Sequence, residues 1–343
     1  MMNKSYISNP IGKLFLIAIL FIASISAGSA QDFKKVMDLN ERWKFSIGDR
    51  EEWADPEYDD SNWEWVDVPS AWENQGFHGY NGYAWYRKTF DKRQLPENQA
   101  LYLQLGNIDD VDEVFFNGKR IGKTGNFPPK YATAYKSYRR YNVPAELIKE
   151  TNTIAVRVYD DVGEGGIIHG DVSLLVDREA IPVDIDLSGT WKFKLGAYAH
   201  ENLNNIDNWD DIVVPGNWEN QGYKDYDGYA CYALEFELEE EFVRERMVLI
   251  LGKIDDIDQV YLNGVLVGQS GEFNPKTVKE RSSSWQQIRN YYLPINLLKS
   301  EGKNTILVRV YDATQGGGIY TGSVGLISQD HYIKHWKSRR NRY

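Results

Sequence analysis

Cysteine is nearly absent. Cys231 is the only one in 343 residues, so no intramolecular disulfide can form and no cysteine-rich metal site can be built. Positive charge is also short. The 39 Lys and Arg stand against 50 Asp and Glu, a net charge of −11, and such an acidic body lacks the basic footprint that nucleic acid requires. Long apolar runs are missing outside the first 30 residues, where Leu14 to Ile25 is shorter than the ~20 residues of a membrane span. Helical periodicity is missing as well, and no helix beyond a turn or two is expected. No His-Glu-x-x-His, Walker or Rossmann motif occurs.

What is present begins with a leader. Lys4 and Lys13, the apolar run, and Gly28-Ser29-Ala30 before Gln31 read as a secretory signal over residues 1–30. The expectation is a secreted, periplasmic or cell-surface protein with no transmembrane segment in the mature chain. At the other end, residues 331–343 carry Lys334, Lys337, Arg339, Arg340 and Arg342. This basic tail reads either as a frayed, solvated terminus or as a surface-docking element.

One stretch occurs twice. Gly106-Asn-Ile-Asp-Asp-Val-Asp-Glu-Val-Phe-Phe-Asn-Gly118 returns as Gly252-Lys-Ile-Asp-Asp-Ile-Asp-Gln-Val-Tyr-Leu-Asn-Gly264. Alternation puts Asp112, Val114 and Phe116 on one face, and Asp258, Val260 and Leu262 on the matching face. Asn-Gly supplies the two positive-φ residues of a type I′ hairpin. Other landmarks repeat in the same order. Trp43, Trp63, Pro69, Trp72 and Gly76 answer to Trp191, Trp209, Pro215, Trp218 and Gly222. A shared order at one offset means duplication: repeat one over residues 31–180 and repeat two over 181–330. Short strands separated by Gly, Pro, Asn and Asp predict an all-β fold, with an eight- or nine-stranded jelly roll in each repeat.

These residues resemble a known family. Trp-x-Phe, the Val-Pro-x-x-Trp-Glu-x-Gln-Gly box, Asn/Asp-Gly-Tyr-Ala-x-Tyr, the Asp-rich hairpin and Asn-x-Ile-x-Val-Arg-Val-Tyr-Asp look like the sugar-binding domain of glycoside hydrolase family 2. The likeness is to versions in bacterial sialate O-acetylesterase-like and β-galactosidase-like proteins. It implies two tandem jelly-roll β-sandwich domains, galactose-binding-domain-like. In that family the catalytic carboxylates lie on a separate (β/α)₈ barrel, for which the two repeats leave no stretch of about 250 residues. The esterases' Gly-Asp-Ser motif is also absent. The expectation is a non-catalytic, exported carbohydrate-binding module with a glycan ligand. The alternative is a hydrolase, an esterase, or an accessory subunit of a catalytic partner protein.

Each candidate site carries two readings. In Trp72-Glu73-Asn74-Gln75 and Trp218-Glu219-Asn220-Gln221, Trp suits a sugar's C–H face and the polar groups suit its hydroxyls. Equally, Trp anchors a loop and the others cap turns. Tyr80, Tyr83, Trp85 and Arg87, with Tyr226 and Tyr229 in repeat two, either bind sugar or pack as alternating strand residues. Cys231 stands opposite Trp85, so binding through Trp85 and Arg87 would belong to repeat one alone. Asp109, Asp110 and Asp112, with Asp255, Asp256 and Asp258, offer oxygens to a structural calcium or hold turns. Arg157 and Arg309 pair with strand carboxylates, Asp112 and Asp258 for instance, or meet a polar ligand. Asp160 and Glu164 form a further candidate, for a catalytic carboxyl pair.

Overall fold

The repeated Asp-rich stretch forms the strand and hairpin that its alternation predicts. In this computed structural model Asn117 and Gly118 have φ of 48° and 79°, and Asn263 and Gly264 have 51° and 81°. The structure describes residues 33–95, 100–196, 206–243, 245–271, 283–314 and 316–340. The signal-like segment lies outside the described residues.

Repeat one supplies β1 (Phe33–Asp38), β2 (Arg42–Ile47), β3 (Glu64–Asp67), β4 (Gly82–Asp91), β5 (Leu101–Asp109), β6 (Val111–Phe116), β7 (Lys119–Thr124), β8 (Tyr138–Val143), β9 (Thr151–Asp160) and β10 (Gly166–Asp177). Repeat two supplies β11 (Ile185–Asp186), β12 (Gly189–Leu195), β13 (Asp210–Val214), β14 (Gly228–Phe236), β15 (Met247–Ile254), β16 (Ile257–Leu262), β17 (Val265–Ser270), β18 (Ile288–Tyr292), β19 (Asn304–Asp312) and β20 (Ile319–Ser328). They form four sheets, in the orders β1-β10-β5-β8, β3-β2-β4-β9-β6-β7, β11-β20-β15-β18 and β13-β12-β14-β19-β16-β17. Every strand pairing among the described residues is antiparallel, so they hold no (β/α)₈ barrel, which needs eight parallel strands.

The expectation of two tandem jelly-roll β-sandwich domains is corrected. The chain from Gln31 to Tyr343 is one compact unit of four sheets, not two separate domains of eight or nine strands. Two physical causes account for the difference. A hairpin ahead of β4 widens one sheet of each repeat to six strands, giving ten per repeat. The repeats are also fastened to each other. Gly125 N donates to Asn220 O at 2.5 Å, Asn126 Nδ2 to Gly222 O at 3.3 Å, and Asn142 Nδ2 to Ser188 Oγ at 2.7 Å.

Each repeat keeps its own core between its four-stranded and six-stranded sheets. Trp43, Phe45, Tyr86, Val114 and Val156 meet Leu103, Leu105 and Leu174 in the first, and Trp191, Phe193, Tyr232 and Val308 meet Leu249 and Leu326 in the second. Cys231 is buried beneath the other face of its sheet with Ile206, Ala233 and Leu307.

A second correction concerns helix. Gln329–Arg340 forms a three-turn helix, α2, after the single-turn α1 (Glu240–Val243). Much of the basic stretch read as a frayed tail is therefore ordered. Tyr332 is buried against Ile181, Val248, Ile250 and Ile327, and His331 Nδ1 lies 2.8 Å from Asp184. The helix has no apolar stripe of its own to announce it in the sequence. No helix among the described residues is long and apolar enough to cross a membrane.

A third correction concerns the strand arginines. Asp112 pairs with Arg139, not Arg157, and Asp258 with Arg289, not Arg309, each at 2.7 Å with all four side chains essentially inaccessible. Arg157 lies on the opposite face of its strand and pairs with Asp49 at 2.5 Å. Asp112→Ala would leave the Arg139 guanidinium buried without its counter-charge. We expect a loss of about 3–5 kcal/mol in urea unfolding, whereas a surface control such as Asp59→Ala stays near the parent.

Candidate functional site

The Trp-Glu-Asn-Gln box falls on a short 3₁₀ turn, and most of it holds the chain together. Trp72 is fully buried and its Nε1 donates to Tyr80 O at 3.0 Å; Trp218 is fully buried and donates to Tyr226 O at 3.2 Å. Gly165 and Gly317 press on these indoles so closely that a Cβ would come within 2.1 Å of each Cζ2. The indole faces are thus filled by the protein itself. Gln75 clamps the backbone N–H and C=O of Asp67, and Gln221 those of Val213. Glu73 accepts from Gly165 N at 3.0 Å, and Glu219 accepts from Gly317 N. Burial pushes the Glu219 carboxyl up to about 7. Asn74 is exposed, whereas its counterpart Asn220 accepts from Ser137 Oγ of repeat one at 3.2 Å. The Tyr80 and Tyr226 hydroxyls close turns onto Tyr83 O and Tyr229 O.

Trp85 and Arg87 are also internal. Trp85 packs with Trp53 and Trp63, and Arg87 donates to Asp60 at 2.8 Å and to the carbonyls of Trp53, Asp55 and Tyr58. Arg87 thereby holds the acidic loop between β2 and β3. Repeat two has Ala233 at the matching place on β14, Tyr232 lying opposite Phe193 as Tyr86 lies opposite Phe45.

Two groupings remain open to a ligand. The first is acidic. Asp109 and Asp110 converge with Asp160, and Asp255 and Asp256 with Asp312. Asp112 and Asp258, expected among these ligands, face the core instead and are held there by Arg139 and Arg289. In each group one oxygen per carboxyl lies within 4.8 Å of the others, and oxygens held at ~2.4 Å by one calcium ion can be no farther apart than about that. Asp160 is wholly buried, yet neither of its carboxyl oxygens has a hydrogen-bond partner; Asp312 Oδ2 has none either. Burial, then the charges of Asp110 and Glu73, pushes Asp160 up to about 7. Burial, then Asp312 and Asp256, does the same to Asp255, while Asp312 reaches about 6 chiefly through burial. Burial also raises Asp109, whereas hydrogen bonds from Thr133, Tyr131 and Asp161 N outweigh burial and hold Asp110 low. The sequence signal for Asp160 and Asp312 was available: both end the repeated Val-Tyr-Asp of β9 and β19.

The second grouping lies on the outer face of the β3-β2-β4-β9-β6-β7 sheet. Tyr83 and Phe127 stack at 5.8 Å and 10°, and the Arg157 guanidinium sits 4.9 Å and 4.5 Å from their ring centres. Tyr159 lies 4.8 Å from Tyr83 and 5.7 Å from Tyr131. Of the sequence-selected sugar-binding residues, Tyr83 alone reaches this aromatic patch. Phe127 and Tyr131 were passed over because they occupy a Pro-containing loop with no periodicity.

Comparisons with known proteins match the chain in part or, for solved structures, over most of its length. The family described as "Beta-galactosidase second all-beta domain" matches residues 48–164. A putative beta-glucuronidase of Formosa agariphila is 31% identical over 134 residues, 35% of this chain and 12% of that protein. The beta-galactosidase BoGH2A of Bacteroides ovatus is 27% identical over 149 residues, 40% of this chain and 17% of that protein. Among solved structures, a Bacteroides uniformis beta-glucuronidase superposes with a TM-score of 0.35 at 17% identity, covering 82% of this chain and 28% of that one. The sugar-hydrolase side of the resemblance thus has support from partial matches, while its tandem jelly-roll side gives way to the four-sheet unit.

The raised carboxyls set a pH dependence. Folded Asp160, Asp255 and Asp312 bind protons more tightly than their unfolded forms, whose pKa is about 3.9. Their contribution to stability is therefore full below pH ~4 and is lost as pH rises through about 7. In chelator, Asp160→Asn should flatten the decline in Tm between pH 5 and 8. An unchanged slope would show that Asp160 does not titrate there.

Proposed function

We propose that this chain is an exported, non-catalytic carbohydrate-binding module that serves sugar hydrolysis as an ancillary part. The observation that carries the reading is the aromatic patch of Tyr83, Phe127, Tyr131 and Tyr159 around Arg157. Flat rings beside fixed polar groups suit the alternating C–H and hydroxyl surfaces of a sugar. The names of the matched relatives, beta-glucuronidase and beta-galactosidase, support a glycan as ligand. Export rests on the leader-like residues 1–30.

The Asp109-Asp110-Asp160 and Asp255-Asp256-Asp312 groups fit a hard divalent cation, and we assign calcium to them as a structural ion. Such an ion would take up the unpartnered oxygens of Asp160 and replace proton binding there. Its role is to fix the ends of β5 and β9 in repeat one, and of β15 and β19 in repeat two.

Two measurements test these readings. On a glycan array, residues 31–343 should bind a defined set of glycans, and Tyr83→Ala should weaken that binding at least tenfold, about 1.4 kcal/mol, with little change in Tm. Undiminished binding would remove the patch from the site. Calcium at millimolar levels should raise Tm at pH 8, and Asp160→Asn should remove most of the rise. Equal rises in both proteins would refute the assigned ligands.

A further inference from the structure

Beside the aromatic patch lies an open cavity of about 390 Å³. Lys123, Lys130, Arg157 and Glu113 line it together with Phe127 and Pro128. Three cations against one carboxylate is the reverse of the chain's overall acidity. Arg157 already has counter-charge: Asp49 holds its Nε and one terminal nitrogen, and Glu113 lies 3.5 Å from the other. The lysines do not. Among the described residues neither Lys123 nor Lys130 makes an ion pair, and Lys123 Nζ donates only to the neutral Asn126 Oδ1, at 3.1 Å. Burial, together with nearby Arg120 and Arg157, makes the Lys123 ammonium easier to deprotonate than usual, although Glu113 and Asp210 oppose this. Glu113 stands opposite Lys123 across the β6–β7 pairing but makes its ion pairs with Arg120 and Arg157 instead.

The second repeat serves as an internal control. On β6 and β7, Glu113 faces Lys123; on β16 and β17, the same register sets Gln259 against Gln269. The two glutamines satisfy each other at 3.1 Å and carry no charge. The fold therefore accepts a neutral pair here, and the charged pair in repeat one is not required by packing. Repeat two also steadies the cavity from outside. Asn126, whose side-chain oxygen accepts the hydrogen bond from Lys123, donates through Nδ2 to Gly222 O at the end of the second Trp-Glu-Asn-Gln box.

Resting on the carbohydrate-binding reading above, we infer that this cavity is a site for an anionic sugar unit, its carboxylate or sulfate group meeting Lys123 and Lys130. Phe127 and Pro128 cover the apolar face of the ring. Glu113 accepts from sugar hydroxyls, and Arg157 is held by Asp49 as a fixed donor edge.

The test is calorimetric titration of residues 31–343 with the methyl glycosides of glucuronate and galacturonate, their neutral parents and the parents' 6-sulfates. An acidic form should bind at least tenfold more tightly than its neutral parent, and rising salt should erode the difference. The carboxylate and sulfate arms identify which anion is read. The double variant Glu113→Gln/Lys123→Gln copies the pair that repeat two already accommodates and should abolish the preference. Lys130→Glu, on an exposed loop, should weaken acidic binding at least tenfold even if the double variant misfolds. Equal binding of acidic and neutral sugars, or a preference intact in Lys130→Glu, overturns the inference and leaves carbohydrate binding standing. No binding here and none on the array overturns both.

Discussion

The buried guanidinium of Arg139 is the constraint on which the ligand-facing half of repeat one depends. Its Nε is tied to Asp112, one terminal nitrogen to the carbonyls of Ala134 and Ser137, and the other to Asp110 O. A cation wholly removed from water is tolerable only when its donors are met in this way. In meeting them it fixes β6, the backbone of the acidic group, and the far end of the loop that carries Phe127, Lys130 and Tyr131. Arg289 does the same in repeat two through Asp258, Asp256 O, Ser284 O and Gln287 O. The same Asp that looked like a cation ligand in the sequence is thus the anchor that positions its neighbours to be ligands.

This explains how far the sequence could be read. The duplication, the all-antiparallel strands and the Asn-Gly hairpins followed from local chemistry, since period-two alternation and positive φ are properties of neighbouring residues. Whether Arg139 or Arg157 meets Asp112 depends instead on which face of a distant strand is presented, and β8 is 22 residues beyond β6. Asp160 was noticed but linked to Glu164, its chain neighbour, when its partners come from the end of β5. The Trp-Glu-Asn-Gln box was conspicuous because it repeats. Repetition marks residues that the fold needs twice, and its Trp and Gln are such residues.

What differs between the repeats is the better guide to ligand chemistry. Asn74 is exposed while Asn220 is taken up in the contact between repeats. Glu113 and Lys123 are charged where Gln259 and Gln269 are neutral. Trp85 and Arg87, which hold the loop between β2 and β3, give way to Cys231 and Ala233. On the proposed reading one half presents a surface and the other braces it, joined at Asn126 and Gly222.

The solitary thiol of Cys231 gives this architecture its own clock. It lies 1% exposed under the outer layer of the second six-stranded sheet. A thiol reagent reaches it only when the residues packed around it, Ile206 and Tyr261 among them, move aside, so the rate of modification measures an opening within repeat two. Because no second cysteine exists, each molecule reports a single event. The bracing half of the molecule can therefore be timed at its native thiol, while ligand occupies the other half.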